Sequence, residues 1–155
     1  MYHLALYAHS YVRWVVVALG LLALGRAVAG WRSRAGWRRV DERLATAFLA
    51  TLDTQVLLGI LLWCLWSPFA MAFRDDPRAA MHDAPVRFWG MEHQVSMVLA
   101  FVVAHVGRAR GKRHGEGWAR HRIQAITLLV WVALVAAAFP WPGTGHARPL
   151  LRMPF

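Results

Sequence analysis

The 155-residue chain has one cysteine, Cys64, and eight acidic residues against eighteen basic ones. A single cysteine excludes any intrachain disulfide and leaves no signal about redox compartment. Internal repeats and low-complexity tracts are absent, which argues against solenoids and disordered tails. No polar stretch is long enough for a separate soluble domain. A cleavable leader is not expected either. The first apolar run starts at once, lacks a basic segment ahead of it and is longer than a signal core.

What the chain has instead is apolar length. Hydrophobic residues make up 58% of it and the mean hydropathy is +0.36, high for an ordinary soluble domain. Four apolar stretches cover residues 4–29, 46–70, 88–107 and 123–139. Each meets or approaches the roughly 20 residues needed to cross a bilayer at 1.5 Å per residue. Trp31, Trp37, Trp63, Trp66, Trp89, Trp118 and Trp141 fall near the ends of these stretches, where indoles favour the interface. The pattern predicts an all-α fold: one integral-membrane domain, 1–155, built as an up-down four-helix bundle with short connections. The segment 67–86, with Pro68, Pro77 and Pro85, is the least regular. Its run 69–73 is expected along the interface, and a short amphipathic turn is expected over 40–44. Pro140-Trp141-Pro142 ends the last helix.

The net charge of +10 is unevenly placed. Arg26, Arg32, Arg34, Arg38, Arg39 and Arg43 crowd the first connection, and Arg108, Arg110, Lys112, Arg113, Arg120 and Arg122 the third. The second holds Arg74, Arg78 and Arg87 beside Asp75, Asp76 and Asp83; the tail adds Arg148 and Arg152. That is the positive-inside bias, and it puts both termini outside. The arginines then meet anionic headgroups of the lipid bilayer, and a nucleic-acid partner is not expected.

Polar side chains inside such spans are costly and point to function. His9 and His93 each lie about five residues into spans that enter from the same side, roughly 8 Å deep. Two imidazoles at one height on facing helices suit the axial positions of a haem iron. Gly90, Met97, Ala100 and Ala104 share the His93 face at three-and-four spacing. Near the other side, His105 and His121 are candidates for a second haem. His93 and His105 are roughly 120° apart around a helix, so that haem would need another cleft. Arg13, one turn beyond His9, needs a partner: a haem propionate or Asp53, about 10 Å from the inner boundary. Asp53 and Gln55 are also candidates for proton uptake or for a quinone carbonyl, and Glu92 for an interfacial cap or proton relay.

Plainer roles stand beside these. A histidine one turn inside a span can simply donate to a carbonyl on a neighbouring helix. His3, His82, His114 and His146 are expected to be solvated. Met71, Met81, Met91 and Met97 read as bilayer filler, although Met81, His82, Met91 and His93 would also suit copper.

His9-Ser10 with Arg13-Trp14, Asp53-Thr54-Gln55 with Leu57-Leu58-Gly59, Phe88-Trp89 with Glu92-His93, and Pro140-Trp141-Pro142 follow one another along nearly the whole chain. In that order they resemble small four-span bacterial membrane proteins labelled cytochrome b. The architecture is also broadly similar to the four-helix cytochrome b561 proteins. The resemblance implies an integral-membrane protein of the bacterial inner (plasma) membrane that binds haem b, with His9 and His93 as the matching histidines.

The expectation is therefore a non-covalent b-type cytochrome with one or two haems, since no Cys-x-x-Cys-His run allows covalent attachment. It would pass electrons between quinol and an outer-side redox partner or membrane subunit. Two other classes stay open: a copper-handling membrane protein, and a cofactor-free accessory or assembly subunit.

Overall fold

The computed structural model describes residues 1–148, so Arg152 of the tail lies outside the described residues. Among these the regular structure is all helical, with no strand. Four long helices carry the fold: α1 (Tyr2–Arg32), α2 (Arg39–Leu65), α6 (His93–Lys112) and α7 (Gly117–Ala137). Three short ones join α2 to α6: α3 (Pro68–Asp75), α4 (Pro77–His82) and α5 (Ala84–Arg87). A π-helical turn, Phe88–Glu92, leads into α6.

Local chemistry sets these boundaries. Residues 40–44 belong to α2 itself, whose head is closed by the Arg38 amide donating to the Asp41 carboxylate at 2.9 Å. α2 stops before Ser67-Pro68, because a residue ahead of proline is pushed out of helical conformation. The segment 67–86 is more regular than expected. Ser67, Asp76 and Asp83 accept from the amides of Ala70, Ala79 and Val86 at 3.2, 2.9 and 2.9 Å, and each is followed within two residues by proline. Polar cap plus early proline starts a helix three times over.

α1, α2 and α7 are long and apolar enough to cross a membrane. α6 is not among them, because His93, Gln94, Ser96, His105, Arg108 and Arg110 interrupt its apolar run. The long helices form a ring in which α1 packs on α2 and α7, and α6 packs on α7. The seam between α2 and α6 is the thinnest of the four. Val16, Ala23, Phe48, Leu52, Ala100, Ala104, Leu128 and Trp131 fill the core, with Phe48 edge-on to Trp131 at 4.9 Å between centroids. Larger apolar residues such as Leu21, Leu22, Leu57, Val102 and Leu129 point outward. Ala23, Ala100 and Ala104 let the helices approach closely in the core, while the outward aliphatics suit a lipid solvent. Consecutive long helices alternate in direction. Both arginine-rich connections therefore lie at one end, and residue 1 lies with α3–α5 at the other.

Candidate functional site

At the end away from the arginines, the four long helices enclose a cavity of about 270 Å³. His9 and Arg13 reach it from α1, Gln55 and Gly59 from α2, and His93 from α6; Phe69, Trp89 and Arg148 close its mouth. The two histidines read as equal in depth thus do line one space.

His93 is anchored by a bond that the sequence explains. In a helix the Ala136 and Ala138 carbonyls would accept from residues 140 and 142, both prolines and therefore not donors. The Trp141 indole donates to the Ala136 oxygen at 2.8 Å, and His93 Nδ1–H donates to the Ala138 oxygen at 2.9 Å. With its proton committed there, His93 keeps Nε2 as a lone pair. Phe88 and Trp89 hold the ring from the side, at 5.9 and 5.3 Å between centroids.

His9 is held differently. Its Nε2 lies 3.2 Å from Gln55 Nε2, while its Nδ1 is buried without a hydrogen-bond partner. Gly59 makes room for the ring: a Cβ there would sit 3.2 Å from His9 Cε1. The Arg13 guanidinium lies 5.3 Å from both the Trp14 and Phe139 ring centroids.

Two expected pairings are replaced by others. Asp53 does not meet Arg13; it accepts from His105 Nε2 at 2.8 Å. Asp53 and Gln55 lie about 200° apart around α2, so Gln55 faces the cavity while Asp53 faces α6. His105 and His121 line no common cavity. His105 is on the α2 seam, whereas His121 is buried beside Trp37, 4.8 Å between ring centroids, with Nε2 3.8 Å from Asp41. Gly30 allows that burial, because a Cβ there would come within 2.5 Å of the imidazole. Twelve residues along one helix turned the His93 and His105 faces apart.

Glu92 pairs with Arg87 at 2.6 Å beside the π-helical turn. Met81 and His82 are exposed, and among the described residues no three His, Cys, Asp or Glu side chains converge to hold a metal ion. His3, His82 and His114 are exposed as expected; His146 instead stacks on Phe88 at 3.6 Å.

Sequence reasoning missed a network at the basic end. Arg26 holds Asp41 at 2.7 Å, Arg108 and Arg120 both hold Glu42, and the Trp37 indole donates to Glu42 at 3.0 Å. Arg120 also lies over the Trp37 ring at 4.2 Å. The available signal was that Asp41 and Glu42 are the only acids in the first basic connection. No family model, curated protein or solved structure matches the chain.

Proposed function

We propose that this is a b-type haem-binding electron-transfer protein of the bacterial inner membrane, crossing it four times with both termini outside. One observation carries the reading. Imidazoles from two different helices line one apolar cavity, and His93 is tied through Nδ1 to a backbone carbonyl, leaving Nε2 for iron. A second hydrogen bond that fixes tautomer and ring direction is the usual mark of a ligating histidine.

The residues present fit the group. His93 offers Nε2, His9 would offer its buried Nδ1 once the Gln55 amide turns its Oε1 to accept from Nε2–H, and Arg13 is placed to meet a propionate. Ala100, Val56 and Gly59 keep the walls apolar and low. Bound haem would supply a one-electron couple. The chain's own part is to hold the two rings, keep water out and set the local charge through Arg13. Electrons would come from quinol and leave to an outer-side partner or membrane subunit, with Asp53 or Glu92 handling protons.

The test is the reduced-minus-oxidised spectrum of protein purified in detergent after expression with haem supplied. A b-type α-band in the wild type that disappears in both His9→Ala and His93→Ala is the expected result. A colourless wild type overturns the proposal.

A further inference from the structure

We propose that Asp53 and His105 form a binding site for the hydroxyl of a lipid-soluble quinol, entered sideways from the hydrocarbon at the α2–α6 seam. The inference rests on the electron carrier proposed above only for its donor; the site itself stands on separate residues.

Position comes first. Asp53 is seven residues past Thr46, about 10 Å along α2 from the start of its apolar stretch. Lipid phosphates lie outside the hydrocarbon at that depth, so a headgroup does not explain the pair. Yet the pair is open rather than packed away: the Asp53 side chain is 50% exposed and that of His105 38%. An ionisable pair facing hydrocarbon is costly unless something polar meets it there. Leu57, Val98 and Val102 near it on the two helices are exposed and apolar, so what arrives must itself dissolve in lipid.

Chemistry narrows the occupant further. The Asp53 carboxylate accepts a hydrogen bond from His105 Nε2–H at 2.8 Å, so in the neutral ring Nδ1 is the acceptor. A carboxylate behind an imidazole strengthens that acceptor and fixes its direction. The matching ligand group is a neutral O–H donor. Phe101 sits one turn away with its ring 4.4 Å from that of His105, an aromatic surface beside the acceptor. A hydrocarbon-soluble ring with a hydroxyl is a quinol. Gln55 does not contribute, because it faces the cavity on the other side of α2.

The experiment uses the full chain in vesicles and a short-tailed azido-quinol, kept reduced under anaerobic conditions and photolysed with and without decylubiquinol as competitor. Labelled peptides are then mapped by mass spectrometry. Label is expected on the α2 and α6 peptides around Asp53 and His105, and decylubiquinol should suppress it. His105→Phe keeps an aromatic ring and removes the acceptor; it should cut labelling about ten-fold, the value of one hydrogen bond. Asp53→Asn keeps the shape and should weaken labelling less, with circular dichroism unchanged in both variants. Equal labelling of wild type and His105→Phe overturns the site, as does label confined to the His9–His93 cavity. A dimer crosslinked across α2 and α6 that takes no label also overturns it, because a second copy would then cover the pair. If the wild type lacks the b-type α-band yet labels as described, the haem proposal fails and this site survives.

Discussion

His93 donates to the carbonyl oxygen of Ala138 at 2.9 Å, joining the first turn of α6 to the end of α7. Because Pro142 has no N–H to offer, that oxygen has no helical donor. His93→Ala should therefore destabilise the bundle as well as remove a ligand, by about 1–3 kcal/mol for the orphaned carbonyl. Thermal unfolding in detergent, followed by circular dichroism, measures it. An unchanged midpoint would mean the carbonyl finds water instead.

The bond between His9 and Gln55 is a weaker link. Interhelical side-chain bonds in membranes average about 0.6 kcal/mol, so Gln55→Leu should lower stability only slightly. Its larger effect should be on His9, whose ring loses its 3.2 Å partner and with it a fixed direction. The expected outcome is a retained α-band with a shifted midpoint potential, read by redox titration. Complete loss of the band would show that Gln55 is needed to build the site and not merely to orient it.

How much of this was visible in the residues varies with the kind of signal. Apolar length located the four long helices, and the shared depth of His9 and His93 brought both to one cavity. Pairings across helices were not visible, because helix rotation decides them: Asp53 turned to His105, and His121 turned to Asp41 and Trp37. The helices of 67–86 were legible in principle, since Ser67-Pro68 and Asp76-Pro77 are start signals. Proline there was read as disruption when it served initiation. At the basic end, Glu42 draws Arg108 and Arg120 from sequence positions far away. No local pattern announces such a network.

Packing at the centre depends on Phe48, which is fully buried and edge-on to Trp131. Phe48→Ala should cost about 3–5 kcal/mol, the usual price of an aromatic cavity in a core. Phe48→Leu, which retains most of the volume, should cost clearly less. Unfolding midpoints of the two variants against wild type test the ordering. Equal losses would mean that the aromatic edge contact, and not the filled volume, supports this part of the core.

Glu42 ties three elements together through Arg108, Arg120 and Trp37. Arg108 is the sensitive partner, with only 7% of its side chain exposed. Glu42→Gln should destabilise by about 1–3 kcal/mol by leaving that guanidinium without its counter-charge. Adding Arg108→Met to Glu42→Gln should recover part of the loss, because the buried charge is then gone. A double-mutant cycle on unfolding midpoints measures the coupling. Strict additivity would show that the two side chains do not depend on each other.

The sidedness of the bundle is open to direct labelling. Cys64 is the lone cysteine and is exposed, so a Cys64→Ser background is needed first. Into it go Asp76→Cys, at the junction of α3 and α4, and Arg113→Cys, just past α6. Twelve basic residues cluster at the Arg113 end, and positive charge is retained on the cytoplasmic side. With a membrane-impermeant maleimide, the cysteine at position 76 should react in intact spheroplasts and that at position 113 only after lysis. The reverse pattern would invert the bundle and put the His9–His93 cavity near the cytoplasm. Reaction of both in intact spheroplasts would mean that α6 does not cross, a real alternative for a helix carrying Arg108 and Arg110 alongside His93 and His105.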